Sequence, residues 1–259
     1  MMAQYRFMTC NIRIQTPHDG EQQFLNRVDF VCRTLLELAP DVIGFQELDH
    51  RMRLEILSPL PGYAILGAGR NPDHLGEGAP IAYRQNRLMP ERLYSEMLSF
   101  QPHVPGTTYG GDQSPCPRLF SCADFMPING GKPFRFMNVH TDHVGPVSRQ
   151  LAVTQMLQSL ATQNALRPMP TVITGDFNAL PDAPEMKPLA EFPGLHDATS
   201  DLPGTFHNYE RLNPPVKIDY IYLTDEWKDV QTQLLHPKEG ALCFSDHDPI
   251  MVSVTLTED

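Results

Sequence analysis

Apolar residues along this chain fall mostly in short runs with the two-residue period of β-strands. Residues 5–12 alternate between two faces, with Tyr5 and Phe7 on one and Arg6 and Met8 on the other, which predicts a strand. Further apolar runs bounded by turn residues predict strands at residues 41–47, 63–66, 79–83, 119–126, 134–140, 171–176, 217–223, 230–235 and 249–256.

Two segments change to the period of an α-helix. Between residues 22 and 38 the apolar positions recur at helical spacing, and Pro40 marks the end of that helix. Pro146 is well placed as the first residue of a second helix, because its missing N–H costs nothing there. The apolar stripe of this second helix is Val153, Met156, Leu157 and Leu160.

Strands outnumber helices in this pattern, and three strand pairs resemble hairpins. The pattern therefore predicts an α/β fold of two packed sheets with helices outside, in preference to one doubly wound parallel sheet. Residues 86–117 are rich in Pro, Gly, Ser and Thr and are predicted to form a long ordered loop. Since no repeat, low-complexity tract or linker divides the chain, residues 1–259 are expected to form one domain.

Composition narrows the class of protein. Of 259 residues, 41% are hydrophobic and 20% are charged, as in ordinary soluble domains. The 20 basic and 31 acidic residues give a net charge of −11, so strong binding to duplex nucleic acid is not expected. The five cysteines have no zinc-type or CxxC spacing, and no run approaches the roughly 20 apolar residues of a membrane span. The N-terminus lacks an apolar signal core, so we expect a cytoplasmic protein without membrane insertion.

The predicted strand at 171–176 leads into Gly175-Asp-Phe-Asn178. In an extended backbone the side chains of Asp176 and Asn178, two residues apart, would share one face. The carboxylate can accept a proton from water, and the amide can donate hydrogen bonds to an oxyanion. An Asx-type turn after a core strand is the structural alternative for the same residues.

Polar side chains also stand where other predicted strands stop. These residues are Asn11, Glu47, His140 with Asp142, Asp219, and Asp246 with His247. Each alone can be a turn cap, a solvated strand end or a surface histidine, but side chains from neighbouring strand ends converge at one edge of a sheet. Because the acidic and amide residues are hard oxygen donors and cysteine is absent from the set, the pattern favours Mg²⁺ or Mn²⁺ over zinc.

Six segments, in order, resemble the signature of the endonuclease/exonuclease/phosphatase superfamily. They are Thr9-Cys-Asn-Ile12, Gln46-Glu47, Asn138-Val-His-Thr-Asp142, Gly175-Asp-Phe-Asn178, Lys217-Ile-Asp-Tyr220 and Ser245-Asp-His247. The resemblance implies a four-layered α/β sandwich, with two mixed sheets flanked by helices, and Mg²⁺-dependent phosphoester hydrolysis in which Mn²⁺ can substitute. Within the superfamily, Gly76–Tyr83, Cys116-Pro-Arg118 and Gly204-Thr-Phe-His207 are most similar to bacterial relatives of deadenylase and nocturnin catalytic domains.

The resemblance also implies a role for each matching residue. Glu47 would be the central metal ligand, assisted by Asn11 and Asp246, and Asp176 would align and deprotonate the attacking water. The phosphoryl oxygens would be held by Asn178 and His140, and His247, oriented by Asp219, would stabilise the charge that builds on the phosphate. The residues expected to contact substrate are Arg118, Arg70, Asp142 and His207.

One departure from the family pattern concerns substrate choice. The bacterial relatives carry Trp-Asp-Ala-Ala before Cys-Pro-Arg, whereas Tyr109–Pro115 here lacks the tryptophan and is longer. Single-stranded RNA ends, phosphorylated nucleotides, sugar phosphates and phospholipid head groups all fit the remaining pattern. A DNA-repair-type endonuclease is the alternative enzyme, but it would require basic loops that grip a duplex. A catalytically silent binding module is the alternative from another class; it would have lost at least one of Glu47, Asp176, Asn178 or His247, and all four are present.

Overall fold

The computed structural model describes residues 2–257 and contains fourteen β-strands and four α-helices among them. The strands are β1 (Met2–Asn11), β2 (Val42–Gln46), β3 (Tyr63–Leu66), β4 (Ile81–Arg84), β5 (Leu88–Met97), β6 (Leu119–Pro127), β7 (Phe134–His140), β8 (Thr171–Asp176), β9 (Leu195–Asp197), β10 (Asp219–Thr224), β11 (Trp227–Leu234), β12 (Lys238–Glu239), β13 (Leu242–Cys243) and β14 (Ile250–Thr257). The helices are α1 (Phe24–Leu38), α2 (His50–Leu57), α3 (Pro146–Leu166) and α4 (Lys187–Ala190), with short 3₁₀ turns at Pro17–Gln22 and Pro184–Met186. None of the helices described is long and apolar enough to cross a membrane.

Two six-stranded mixed sheets form the centre of the molecule. The strand order is β11-β14-β1-β2-β4-β3 in the first sheet and β5-β6-β7-β8-β10-β9 in the second. Each sheet has one central parallel pair, β1 with β2 and β7 with β8, and its other pairings are antiparallel. The parallel pairs matter for function, because they bring the carboxyl ends of two neighbouring strands to the same edge of each sheet.

Alternation of side chains along the strands separates the two sides of each sheet. In β1, Phe7 packs between the sheets against Phe134 and Trp227, whereas the adjacent Met8 packs beneath α1 and α2. On the opposite side of the molecule, α3 and α4 cover the outer face of the second sheet. These four layers confirm the predicted α/β sandwich.

A polar network crosses the space between the sheets close to the strand ends. Asn138 of β7 donates from Nδ2 to the carbonyl oxygens of Phe45 (2.7 Å) and Pro80 (3.1 Å) in the first sheet. Its Oδ1 accepts from Gln46 Nε2 (2.6 Å) and from the hydroxyl of Thr174 (3.0 Å). Because Asn138 is fully buried and uses both of its polar atoms across the interface, it links the two sheets at the level of the site.

The structure corrects the predicted loop at 86–117. Its first part is the ten-residue strand β5, and only residues 98–118 form the connection to β6. The sequence pattern did not predict this strand because β5 is an edge strand whose side chains are mostly exposed or half-buried, and because Pro90 interrupts it. Proline is tolerated here since the β5–β6 register shifts between Pro90 and Arg92, so no regular ladder hydrogen bond is lost.

The remaining loop is anchored on α3. The Asp112 carboxylate accepts hydrogen bonds from the backbone N–H groups of Val147 (2.8 Å) and Ser148 (3.0 Å), and so caps that helix from a distance. The Tyr109 hydroxyl donates to Gln155 Oε1 at 2.5 Å. These contacts hold the loop in one position beside the strand ends.

Candidate active site

A cavity of about 390 Å³ opens at the end of the sandwich where β2, β7 and β8 stop. Most of the predicted site residues line it, namely Glu47, Arg70, Arg118, His140, Asp176, Asn178, Asp246 and His247. Asn11 and Asp219 lie buried directly behind this wall, in hydrogen-bond contact with Asp176 and His247 respectively. Segments from both sheets therefore contribute to one concave site.

Asp176 is the last residue of β8, and the parallel register of β8 with β7 places it beside His140. The backbone does not stay extended as far as Asn178, whose φ is 49°. Instead the N–H of Asn178 donates to Asp176 Oδ1 at 2.9 Å, which is the Asx turn considered as the structural alternative. The expectation of an extended segment is wrong, but the turn still directs both side chains to the cavity.

Burial first, and then the nearby Asp219 carboxylate, raise the pKa of Asp176 to about 7. Asn11 Nδ2 donates to Asp176 Oδ2 at 3.0 Å and fixes the orientation of the carboxylate. A carboxylate whose pKa lies close to neutral pH is suited to accept a proton from a nucleophilic water.

His247 faces Asp176 from the loop before β14, with its Nε2 3.9 Å from Asp176 Oδ2. Its Nδ1 lies 2.8 Å from Asp219 Oδ2, and the hydroxyl of Thr205 donates to the same oxygen at 2.6 Å. Burial alone would lower the pKa of His247, but the Asp219 carboxylate raises it to about 10. His247 is therefore an oriented imidazolium at neutral pH.

His140 has the opposite electrostatic character. Burial, together with the neighbouring Arg118, holds the pKa of its imidazole well below the ordinary value, so the ring is neutral. Its Nε2 lies 3.6 Å from Asp176 Oδ2. The site thus holds one charged and one neutral histidine, both near the same carboxylate oxygen of Asp176.

Four acidic residues line the cavity, of which Asp176 lies beside two histidines and Glu77 is paired with Arg70, so Glu47 and Asp246 are the two best suited to a metal ion. Burial raises the pKa of Asp246, the charge of His247 opposes this rise, and the negative charge of Glu47 adds to it. A cation between Asp246 and Glu47 would relieve the repulsion of the two carboxylates. In this structure the side-chain oxygen of Asn11 does not point towards Glu47 and Asp246. Its Nδ2 donates to Glu47 Oε1 (3.2 Å) and its Oδ1 accepts from the N–H of Arg13 (3.0 Å), so ligation by Asn11 requires the amide to turn.

Two other groups of side chains have possible ligand atoms within 4.8 Å of one another. In both groups, hydrogen bonding explains the close approach better than metal binding. In the group of Asp176, Asp219 and His247, the imidazole is already paired with carboxylate. In the group of His207, His236 and Asp248, the N–H of Glu210 donates to His207 Nδ1 at 3.0 Å. The proton of the His207 ring is therefore on Nε2, facing Asp248, and no lone pair remains there for a metal. Among the described residues, the oxygen donors of Glu47 and Asp246 fit a hard divalent cation better than either group.

Two arginines, Arg118 and Arg70, also line the cavity. The Arg118 side chain is 6% exposed, and its Nε and Nη1 have no hydrogen-bond partner, while Nη2 lies 2.9 Å from His143 Nδ1. Burial, and then the charge of Arg70, lower the pKa of Arg118. Arg70 itself is paired with Glu77 at 2.6 Å. Arg118 thus brings to the cavity a positive charge that is partly offset by Asp142, whose Oδ2 lies 3.8 Å from Nε.

Two predicted substrate contacts lie outside the cavity lining. The carboxylate of Asp142 is already occupied, because it accepts hydrogen bonds from Ser114 and from the N–H groups of Val144 and Gly145. His207 is buried against Asp248, as described above.

Several cavity residues were not predicted from the sequence, chiefly Arg13, Phe206 and Asn208. Arg13 follows the Thr9–Ile12 motif directly, and Phe206 and Asn208 flank His207, so nearness to a motif was the available signal. The ring of Phe206 lies 4.8 Å from that of His247 and closes one side of the cavity.

Comparison with known proteins identifies the family and the fold of this chain. A family model described as the endonuclease/exonuclease/phosphatase family matches residues 8–247, and a search of curated proteins finds no match. An endonuclease/exonuclease/phosphatase structure from Bacteroides vulgatus is 28% identical with a TM-score of 0.88, covering 98% of this chain and 100% of the other. A mannosyl-6-phosphatase from Bacteroides thetaiotaomicron is 24% identical (TM-score 0.88, covering 96% and 99%), and the human nocturnin catalytic domain is 20% identical (TM-score 0.74, covering 98% and 94%). At these identities the last two show a shared fold.

The sandwich and the family match define an enzyme of the metal-dependent phosphoesterase class. More specifically, the chain belongs to the endonuclease/exonuclease/phosphatase family, whose model extends over nearly its whole length.

Proposed function

We propose that this protein is a Mg²⁺-dependent hydrolase in which Asp176 activates a water for attack on phosphorus, and that its substrate is a small phosphoester or a single-stranded nucleic acid end. Mn²⁺ is expected to replace Mg²⁺, because the donors are hard oxygens. The observation that carries the proposal is the arrangement of the cavity. Carboxylates line this cavity of about 390 Å³ together with the buried guanidinium of Arg118, whose Nε and Nη1 have no hydrogen-bond partner among the described residues.

A buried guanidinium with unsatisfied N–H groups is costly unless an anion joins it. Arg118 Nε and Nη1 have no hydrogen-bond partner among the described residues, and the Asp142 carboxylate lies 3.8 Å from Nε, so the guanidinium still favours an anion such as a phosphoryl group. Arg70 also lines the cavity, where it is paired with Glu77. The cavity is thus complementary to one phosphate held between cations and the catalytic residues.

The chain's own residues provide the proton and charge movements. Asp176 takes the proton of the attacking water, since its pKa of about 7 lets it exist as carboxylate and as acid near neutral pH. The imidazolium of His247 donates a hydrogen bond to a phosphoryl oxygen and offsets its growing charge. Asn178 and the neutral His140 hold the remaining oxygens in position. A divalent ion held by Glu47 and Asp246 would supply further stabilisation of negative charge.

Substrate size follows from charge. The chain has 20 basic against 31 acidic residues, and the cations at the cavity are few, so it has little with which to follow a long phosphate backbone. We therefore expect the apparent affinity for substrate to fall only slightly with salt concentration, with a slope that corresponds to about one or two phosphate contacts. Sugar phosphates are natural members of the panel, because one structural relative is a mannosyl-6-phosphatase.

The test is a panel of sugar phosphates, nucleotides, phospholipid head groups, single-stranded RNA and duplex DNA, assayed with Mg²⁺, with Mn²⁺ and after chelation. We expect hydrolysis of a small or single-stranded member that disappears with chelator and returns with Mg²⁺ or Mn²⁺. Arg118→Ala should raise KM far more than Arg211→Ala, the matched loss of an arginine that does not line the cavity. Restoration by Zn²⁺ alone would contradict the metal assignment. Efficient nicking of duplex DNA with a steep salt slope would instead favour a repair-type endonuclease.

A further inference from the structure

Arg13 occupies an unusual place beside the proposed metal donors. It follows β1 in the left-handed region, with φ of 58°, and its N–H donates to Asn11 Oδ1 at 3.0 Å. Its Nη1 lies 3.8 Å from Glu47 Oε2, and its Nε lies 3.7 Å from Asp246 Oδ2. A single arginine therefore contacts all three of the residues to which metal ligation was attributed.

Asp19 holds the guanidinium in this place. Arg13 Nε and Nη2 donate to the two carboxylate oxygens of Asp19 at 2.9 and 3.1 Å, in the two-pronged geometry of strong arginine–carboxylate pairs. The hydroxyl of Tyr209 donates to Asp19 Oδ2 at 3.0 Å and fixes the acid in turn. The hydrogen bond to Asp19, with the charges of Glu47 and Asp246, raises the pKa of Arg13 above its ordinary value. Arg13 is thus a permanent cation.

We propose that Arg13 is a built-in counter-ion that sets how tightly Glu47 and Asp246 bind the divalent metal, and that Asp19 sets the position of Arg13. The proposal rests on the proposed metal dependence of the site. In the absence of metal, Arg13 offsets the repulsion between the two carboxylates. When a divalent ion binds, the guanidinium repels it, so the affinity is lower than the same carboxylates would give alone.

The size of the effect follows from the distances. Nitrogens less than 4 Å from the carboxylate oxygens lie within roughly 6 Å of an ion bound to those oxygens. Even with the screening of water, a unit charge at that separation repels a divalent ion by enough to change its affinity about tenfold. Held by Asp19, the guanidinium cannot move away to relieve this repulsion.

The experiment is isothermal titration of the purified full chain with Mg²⁺ and with Mn²⁺ alone, without substrate. Arg13→Gln should bind both ions about tenfold more tightly than the wild type, and its metal-free form should melt at a lower temperature. Arg13→Lys keeps the charge and should stay within about threefold of the wild type. Arg33→Gln is the matched control. Arg33 is an exposed residue of α1 that pairs with Glu239, so this variant removes the same charge away from the site and should leave metal affinity unchanged.

Asp19→Asn should have the opposite effect to Arg13→Gln. It removes a nearby negative charge and frees Arg13 to pair directly with Glu47 and Asp246, so metal binding should weaken. This variant and Arg13→Lys carry the test if Arg13→Gln does not fold. Equal or weaker binding by Arg13→Gln, equal tightening by Arg13→Lys or by Arg33→Gln, or tighter binding by Asp19→Asn would overturn the proposal. A wild type that binds neither ion would overturn both this inference and the metal dependence, whereas a metal-binding protein inactive on every phosphoester would contradict the proposed function alone.

Discussion

The hydrogen bonds of Asn138 allow a test of how much the polar contact between the two sheets stabilises the fold. Asn138→Ala removes two hydrogen bonds donated to the first sheet and two accepted by Oδ1. Three of the four partners keep another contact: Pro80 O accepts from the N–H of Phe45, Gln46 Nε2 donates to Thr9, and the Thr174 hydroxyl donates to Met137 O. The loss is therefore smaller than four fully orphaned groups would give.

The expected magnitude comes from these bonds. With about 1 kcal/mol net for each of the lost bonds, reduced where partners remain satisfied, we expect Asn138→Ala to lower the free energy of unfolding by roughly 3 kcal/mol. Ser121→Ala is the control, because Ser121 lies opposite Asn138 in the β6–β7 register, is equally buried, and has its hydroxyl bonded only to Ser95 among the described contacts. That substitution should cost about 1 kcal/mol or less.

Urea unfolding followed by far-UV circular dichroism measures both variants. With a slope of about 3 kcal/mol/M, the Asn138→Ala midpoint should fall by roughly 1 M. A loss below about 1 kcal/mol, or one no larger than that of Ser121→Ala, would refute the idea that this network joins the sheets.

Three further outcomes are expected. Asp176→Asn should lower kcat by about 10²-fold or more while Mg²⁺ affinity stays similar, as measured by turnover and titration calorimetry; wild-type turnover would disprove its role as base. His247→Ala and Asp219→Asn should be strongly non-additive in kcat/KM, and losses that simply multiply in the double variant would separate the two residues. The hydrogen bonds to Asp142 hold its pKa below the ordinary value even though burial opposes them, so its contribution to stability is present above the unfolded pKa of about 3.9 and is lost as pH falls through the lower folded value. The Tm difference between wild type and Asp142→Asn should therefore shrink below about pH 4, and a difference independent of pH would contradict this assignment.

Much of the fold was predictable because its central strands obey simple patterns. The strand 171–176 has the bounds that its apolar run predicts, and the hairpin of β6 and β7 follows from Asn-Gly and Gly-Gly between two apolar runs. β5 was not predicted because most of its side chains are exposed or half-buried and do not alternate between apolar and polar, so its composition is similar to that of a loop. The helix predicted at 22–38 is observed at Phe24–Leu38, because its first residues belong to the end of the preceding 3₁₀ turn, and the start predicted at Pro146 is observed.

The candidate site could be predicted where its residues stand at the ends of strands. The sequence indicated which polar residues stand at the strand ends, and the structure brings most of them into one cavity. Asp142 is held partly by local hydrogen bonds from Val144 and Gly145, as in an ordinary Asx turn, but its hydrogen bonds from Ser114 depend on a residue distant in the chain, which the sequence pattern did not indicate. The position of Arg13 likewise depends on Asp19 and on a left-handed backbone, and neither leaves a periodic signal.

The connection at 98–118 has a consequence for how substrate range can change. Met97 and Leu119, the residues at its two ends, are direct partners in the β5–β6 ladder, so the segment leaves and re-enters the sheet at one point. It carries Cys116 and Arg118 to the cavity but holds none of the residues assigned to the water or the metal. A different segment can be grafted onto the same two ends while the ladder beneath it stays paired. The segment 98–118, which carries Arg118, can therefore be replaced in evolution or by design while the residues assigned to water activation and metal binding stay in place.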